Sequence, residues 1–184
     1  AIGQCALASK LDSFVVSVRM TCQKLNMLDS HRALFLLRTY FGLPKVLHLL
    51  RTSPTFMFMD KLKIADASLR SCLSTILNIQ INNNQWSQAS LPINHGGLGI
   101  RAPSDIASSA FIASLTSCLP LVSVLLGVDS PFHPEFQRAC LDWQQRCSNS
   151  PLPIENLSQK HLTEKVFLAK KTKLMESLFD TEKA

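Results

Sequence analysis

Apolar residues recur at every third or fourth position through most of the chain, which is the spacing of one face of an α-helix. Leu7, Leu11 and Phe14 begin such a stripe near the N-terminus, and the charged residues fall beside it. Repeated along the chain, this pattern predicts an all-α fold, a helical bundle. The predicted helices cover residues 1–28, 30–41, 44–51, 54–79, 106–119, 121–126, 135–147 and 158–179.

Residues that favour helix ends separate these segments. Asp29 or Ser30 is placed to cap the second helix, and Pro44 suits the first turn of the third. Ser104 is expected to cap the helix that follows residue 102. The other breaks are expected at a polar turn over residues 82–84, at Pro120, in a loop over residues 129–134 and in a linker over residues 148–153.

Residues 86–101, with the sequence WSQASLPINHGGLGIR, interrupt the helical pattern once. Leu98 and Ile100 alternate with glycine, which predicts a short extended segment after a Gly-Gly turn. The fold is therefore expected to be a helical bundle interrupted by one Gly-rich, extended or hairpin-like joint. Trp86 is expected to pack in the core rather than to stack on a base. The residues expected to fix the joint are Trp86, Pro92, Gly96, Gly97 and Gly99.

The net charge of +6 is unevenly distributed. Residues 1–100 hold ten Lys and Arg against four Asp and Glu, whereas residues 101–184 hold nine of each. A basic half fits a polyanionic partner, and solubility alone is the competing explanation. We therefore expect a basic helical region over residues 1–102, which ends in the joint, and a neutral helical region over residues 103–184.

The composition favours a packed intracellular protein. Hydrophobic residues make up 46% of the chain and charged residues 17%, which argues against disorder. The N-terminus has no signal-like leader and no apolar run approaches the length of a membrane span, so we expect a cytoplasmic or nuclear protein that binds no membrane. Six cysteines without a CxxC pair are expected to be reduced thiols.

Residues 34–56, LFLLRTYFGLPKVLHLLRTSPTF, carry further literal motifs, and an LR-x-x-L segment at residues 69–73 lies between them and the joint. Together these runs resemble the region just downstream of the polymerase palm in non-LTR (LINE-type) retrotransposon reverse transcriptases. In that family FLLR, FG-P and LLRTSP lead through an LR-x-x-L helix to W-x-QASLP-x-x-GGLGIR. The resemblance spans roughly residues 1–120, and the matching segments are residues 35–38, 41–44, 49–54, 69–73 and 86–101.

The resemblance implies that the parent protein is the RNA-directed DNA polymerase of a transposable element, and that this chain is its thumb and connector. Such a polymerase holds two metal ions on clustered carboxylates, in this family including two adjacent aspartates. The chain has no adjacent aspartates and begins at Ala1, so we expect an inactive, cofactor-free piece, with Mg²⁺ only in the missing palm. Its expected partners are the RNA/DNA template–primer duplex and the palm of the same parent chain.

Binding a duplex backbone requires fixed cations along a surface, and one arginine can hold a phosphate through two donors. The expected nucleic-acid-binding residues are Arg38, Lys45, Arg51, Arg70 and Arg101, with Arg32, Lys61 and Lys63 as further candidates. Four of them, Arg38, Arg51, Arg70 and Arg101, fall within the family motifs. For Arg38, Arg51 and Arg101 we favour a role in binding or in locking the joint. The alternative for each is a charge that only solvates the outer face of a helix.

Other chemistry has little support in the sequence. His133, Cys140, Cys147 and His161 are spaced too widely for a compact zinc site. There is no nucleophile elbow and no obvious Cys–His pair. The competing interpretation is a degenerate or co-opted helical module with a protein-interaction or structural role and no nucleic-acid partner. Its Ala- and Ser-rich helix over residues 106–119 would then pack against another protein.

Overall fold

The computed structural model describes residues 2–127, 134–153 and 156–182. No strand occurs among these residues, and the predicted all-α class is confirmed. The α-helices are α1 (Ile2–Leu25), α2 (Ser30–Leu36), α3 (Leu47–Thr52), α4 (Met59–Leu77), α5 (Asn83–Ala89), α6 (Pro103–Leu126), α7 (Pro134–Arg146) and α8 (Gln159–Glu182). Short 3₁₀ turns lie at Leu43–Lys45, Thr55–Phe58 and Ile93–His95.

The first layer of the molecule is α1 packed along α4. The apolar stripe predicted for α1 is its buried face, with Leu11 and Val18 each 1% exposed. The α4 helix contributes Leu62, Leu69 and Leu73, whose side chains are fully buried. Burial of one leucine stabilises a fold by about 1.5–3 kcal/mol, so these two helices supply a large part of the core.

Between α1 and α4 the chain turns through short helical pieces. Asp29 caps α2, since its side chain accepts the Arg32 N–H at 3.0 Å. The helix then widens into a π-helical turn, Leu37–Phe41, and ends at Gly42. The predicted start of the long helix at Pro54 is wrong, because Pro54 has a non-helical ψ of 59° and a 3₁₀ turn follows it.

The central helix is α6, whose first half packs against α3 and α4 and also against α7 and α8. Ile106, Ala107 and Ala110 are fully buried there, and the small side chains let the neighbouring helices approach closely. Residues on both sides of position 102 belong to the same cluster of buried side chains. The basic and neutral regions therefore share one hydrophobic core.

Two predictions about α6 are wrong. The helix runs unbroken from Pro103 to Leu126, contrary to the predicted break at Pro120. A proline removes one helical hydrogen bond, and Pro120 is exposed, so water can reach the carbonyl that loses its partner. Ser104 does not cap the helix. Ala102 holds the N-cap position, and Ser104 lies buried in the first turn beside Asp66.

The last turns of α6 lie outside the core. Among the described residues, two stretches are long and apolar enough to cross a membrane by length and composition, Ser30–Thr52 and Pro103–Leu126. The expectation that no apolar run approaches that length is therefore wrong, because serine and proline interrupt the apolar pattern without adding charge. A buried core helix meets the same test, and the first half of α6 is buried. The large apolar side chains exposed in the second half are Leu121, Val124, Leu125 and Leu126.

The α7 and α8 helices pack against α6 and against each other. The indole of Trp143 is completely buried and donates to the Leu162 backbone oxygen at 3.1 Å, which joins the two helices. Both helices lie within about three residues of their predicted bounds. Residues 148–153 are non-helical, as the linker prediction expects, and most of the loop predicted over residues 129–134 lies outside the described residues.

Candidate nucleic-acid interface

The first residues of the joint belong to a helix. Asn82 accepts the Gln85 N–H at 2.9 Å, and the Gln85 side chain accepts the Asn82 N–H at 2.8 Å, which together form a capping box. The run of asparagines therefore starts α5, and the predicted polar turn over residues 82–84 is wrong. Trp86 lies within α5, half-buried and packed against the core.

After α5 the chain passes Pro92 and a 3₁₀ turn, then returns along the end of the helix. The N–H groups of Leu98 and Ile100 donate to the Ala89 oxygen at 3.2 and 3.3 Å. The Gly99 N–H donates to the Leu91 oxygen at 2.9 Å. Carbonyl groups at a helix end lack helical partners, so the returning segment satisfies them and is itself fixed.

The glycines of the joint are required by this backbone path. A Cβ atom at Gly97 would lie 2.1 Å from the Leu91 oxygen and 2.6 Å from the Gln88 oxygen, far inside contact distance. Gly96 and Gly99 have φ angles of 84° and 75°, in the left-handed region that side chains disfavour. The GGLG sequence is therefore explained by a tight turn, without any phosphate ligand.

Three of the predicted arginines line adjoining cavities beside the joint. Arg38 and Arg101 border one cavity of about 460 Å³, between the π-helical turn and the joint. Arg51 and Arg101 border a second cavity of about 360 Å³, between α3, the joint and the start of α8. Arg101, Pro92 and Asn94 border both cavities, so the two adjoin. We call these two adjoining cavities together the arginine groove.

The joint itself helps to position Arg38. This residue lies in the π-helical turn, a local structure that is frequent at functional sites. Its Cδ atom would lie 3.3 Å from a Cβ atom at position 99, so Gly99 leaves room for the arginine stem. In the part of the chain that the structure describes, the side chains of Arg38 and Arg101 form no hydrogen bond or ion pair. Both guanidinium groups are exposed and open to an anion.

Arg51 reaches from α3 to α8, where its Nε donates to Gln159 Oε1 at 2.8 Å. This bond orients the guanidinium group and leaves its terminal nitrogens for a ligand. Lys160 borders the same cavity and adds a further positive charge. One acid, Glu164, is also present, but its Oε1 lies 2.6 Å from His95 Nε2. That pair connects the joint to α8.

Arg70 occupies a structural position away from the groove. Its Nε donates to the Ile81 oxygen at 3.0 Å, and its Nη1 donates to Asn83 Oδ1 at 2.8 Å. The Nη2 atom also donates to the Ile81 oxygen. All three nitrogens therefore hold the turn between α4 and α5, which explains Arg70 better than a phosphate contact does.

The lysine candidates also lie away from the groove. Lys45 donates from Nζ to Thr21 Oγ1 at 3.0 Å, on α1. Lys61 forms an ion pair with Asp12, also on α1. These contacts connect helices within the molecule. The remaining candidates are exposed and border neither cavity of the groove, namely Arg32 and Lys63.

The described residues contain no group of three or more His, Cys, Asp or Glu side chains arranged to hold a metal ion. His133, a member of the widely spaced Cys/His set, lies outside these residues. The comparisons with known proteins identify no relative. No protein-family model, no curated protein and no solved structure matches the chain.

Sequence reasoning missed the part of the groove that α8 and the 3₁₀ turn contribute. Asn94 and Lys160 border it, and His95 bonds to Glu164 across 69 positions of sequence. The local signal for Lys160 is only a lysine in the first turn of a predicted helix. No motif in the sequence connects that helix to the joint, so only the folded chain reveals the contact.

Proposed function

We propose that this chain is the thumb and connector of a non-LTR reverse transcriptase and that it binds the template–primer duplex through the arginine groove. One observation carries the proposal. Three of the four arginines within the matching motif segments, Arg38, Arg51 and Arg101, border one groove although they lie on three separate parts of the chain.

The groove has the chemistry that a phosphodiester backbone needs. A guanidinium group can hold one phosphate through two parallel hydrogen bonds and keeps its charge at any physiological pH. Gln159 orients Arg51 before binding, and Gly99 leaves room for the stem of Arg38. A phosphate strand lying along the groove would meet several cations in succession.

The proposal assigns catalysis to the missing palm. The acids of the basic region, Asp12, Asp29, Asp60 and Asp66, are dispersed over α1, the cap of α2 and α4, which gives no clustered pair for Mg²⁺. This piece therefore binds nucleic acid without extending a primer, and it acts in the cytoplasm or nucleus with its parent chain.

An apolar surface is available for contact with the palm. Five large apolar or aromatic side chains of α1, α2 and the adjoining turns are more than half exposed. In the resemblance α1 directly follows the palm, so these side chains would be covered in the parent protein. They are Val16, Met20, Met27, Phe35 and Tyr40.

The proposal is tested by the affinity for a labelled RNA/DNA hybrid, measured by fluorescence anisotropy. The triple variant Arg38→Gln, Arg51→Gln, Arg101→Gln is expected to bind about 10- to 100-fold more weakly, because up to three phosphate contacts are lost. The matched control removes the same number of charges with Arg32→Gln, Lys63→Gln and Arg138→Gln, at three exposed residues that do not border the groove. Equal losses in the two proteins would contradict the proposal.

A second candidate function is a co-opted helical module that binds protein and no nucleic acid. The observation in its favour is the exposed apolar end of α6, formed by Leu121, Val124, Leu125 and Leu126. Its test is the mass of the protein in solution over a range of concentrations. Self-association that the change Leu125→Lys abolishes, together with absent hybrid binding, would favour this module over the thumb.

A further inference from the structure

Two cysteines meet at the interface between α1 and α4. Cys22 on α1 and Cys72 on α4 are 9% and 3% exposed. Cys22 donates to the Ser68 oxygen of α4 at 3.9 Å, and Ser68 lies one helical turn before Cys72. A disulfide needs closely placed Cβ atoms on facing elements, and this pair lies on two helices that pack along each other.

The pair also borders a cavity that reaches the surface. This cavity, of about 480 Å³, lies between α1 and α4, and both cysteines line it. Gln23, Asn26 and Ser71 also line it and are exposed, so water and small solutes can enter. The two buried thiols are therefore accessible to a small oxidant without unfolding of the core.

The surroundings distinguish the two thiols chemically. Interaction with Cys72 lowers the pKa of the Cys22 thiol, burial opposes this effect, and the charge of Lys45 lowers the pKa further. Interaction with Cys22 and burial raise the pKa of Cys72. Burial alone raises the pKa of Cys140, and it raises that of Cys147 to about 11. Since the thiolate is the reactive form, Cys22 is the favoured nucleophile of this set.

We propose that Cys22 and Cys72 form a redox-active pair that hydrogen peroxide converts into a disulfide joining α1 to α4. The Cys22 thiolate attacks one peroxide oxygen, the O–O bond breaks, and the products are a sulfenic acid on Cys22 and hydroxide. The Cys72 sulfur then attacks the Cys22 sulfur, the S–O bond breaks, and the thiol proton leaves with the hydroxide as water. In total, two thiols and one peroxide give one disulfide and two waters.

The cross-link would act on the part of the chain that carries the groove. It would close a loop over residues 22–72, which contains Arg38 and Arg51. Oxidation would fix the spacing of α1 and α4 on either side of that loop, and a dithiol would restore the free thiols. The proposal needs no nucleic acid, so it stands or falls separately from the proposed function.

The test treats the full chain with hydrogen peroxide, blocks the remaining thiols by alkylation and maps peptides without reduction. A cross-linked peptide pair containing Cys22 and Cys72 is expected, lighter by two hydrogen atoms than the two free peptides together. Cys22 is expected to oxidise about tenfold or more faster than Cys147 in the same protein. A disulfide between other cysteines, or equal oxidation rates at Cys22 and Cys147, would overturn the proposal.

Two variants separate the roles of the thiols. In Cys72→Ala the sulfenic acid on Cys22 has no resolving partner, so dimedone should trap it. In Cys22→Ala, Cys72 is expected to remain a thiol. Circular dichroism checks that each variant folds. If either variant does not fold, the peptide mapping of the peroxide-treated wild-type protein decides whether the disulfide forms. Dimedone labelling of Cys72 in Cys22→Ala at the rate seen for Cys22 would reverse the assigned roles and refute the mechanism.

Discussion

At the scale of single residues, Gly97 is the glycine whose surroundings leave the least space for a side chain. A methyl group there would meet the oxygens of Leu91 and Gln88 at less than 3 Å, and both are backbone atoms that cannot rotate away. The cost must therefore be met by a shift of the whole joint. Arg101 and Pro92 belong to that joint, so the geometry of the arginine groove depends on a residue that does not border the groove.

We predict that Gly97→Ala lowers the free energy of unfolding by about 3 kcal/mol, the upper part of the range for overpacking. Urea unfolding at equilibrium measures this change. Gly3→Ala is the matched control, because a Cβ atom at Gly3, within α1, has nothing within 4 Å. That control should be neutral or slightly stabilising. A neutral Gly97→Ala would show that the close approach at the joint is absent.

The same scale shows which local inferences from the sequence are reliable. The apolar face of α1 and the cap at Asp29 follow from spacing and side-chain chemistry, and both are present. The expectation for Ser104 was equally local, yet this serine turns inward toward Asp66. The capping preference of a serine depends only on its neighbours in sequence. Here the interaction with Asp66, a buried acid on another helix, outweighs that preference.

At the scale of elements, the interface between α4 and α6 contains an ionisable group. Asp66 is 7% exposed, and one of its carboxylate oxygens has no hydrogen-bond partner among the described residues. The pKa of Asp66 is raised from 3.8 to about 6, mainly by desolvation and in part by nearby Asp105, while Ser104 and Lys170 oppose the shift. The packing of these two helices therefore favours the protonated form of Asp66.

The sign of the pH effect follows from this shift. The folded protein binds the proton more tightly than the unfolded chain, so the free energy of unfolding falls as the pH rises from about 4 to about 6. The loss from this group amounts to at most about 3 kcal/mol. Asp66→Asn should remove it, because an amide keeps the shape of the carboxyl group and cannot ionise.

Urea unfolding measured between pH 4 and pH 7 checks this prediction. The variant is expected to lose less stability than the wild type over that range and to be the more stable protein at pH 7. Asp60→Asn serves as the control, since Asp60 is exposed at the start of the same helix. If Asp66→Asn and Asp60→Asn follow the same pH dependence, burial does not control the protonation of Asp66.

Most elements are predictable from the sequence, whereas their junctions are less so. Long periodic segments such as α1, α7 and α8 appear near their expected bounds, because the apolar period extends over several turns. The start of α5 differs because a capping box converts an asparagine run into a helix start. The unbroken α6 differs because an exposed proline costs the helix only part of its stability.

At the scale of the whole molecule, the groove exists because distant segments meet. Arg38 comes from the π-helical turn, Arg51 from α3 and Arg101 from the end of the joint, and α8 closes one side. The motifs of the sequence contain all three arginines, but they also contain Arg70, which lies away from the groove. The sequence did not reveal Lys160 or the His95–Glu164 pair. No pattern in the residues between the joint and α8 predicts that α8 packs against the joint.

The distribution of charge on the folded molecule also differs from its distribution along the sequence. The sequence divides into a basic half and a neutral half, but the groove draws on both, with Lys160 and Glu164 from the neutral half. Charge along the sequence is therefore an incomplete guide to charge on the surface. What matters for a polyanion is that the exposed guanidinium groups of Arg38 and Arg101 border the same depression.

The central claim, that the groove arginines contact phosphates, is tested most directly by the salt dependence of hybrid binding. The logarithm of the affinity should fall linearly with the logarithm of the salt concentration. In the variant Arg38→Gln, Arg51→Gln, Arg101→Gln we predict a slope shallower by roughly 2–3, about 0.7–0.9 for each phosphate contact removed. A slope equal to that of the wild type would contradict the claim, even if the affinity were lower.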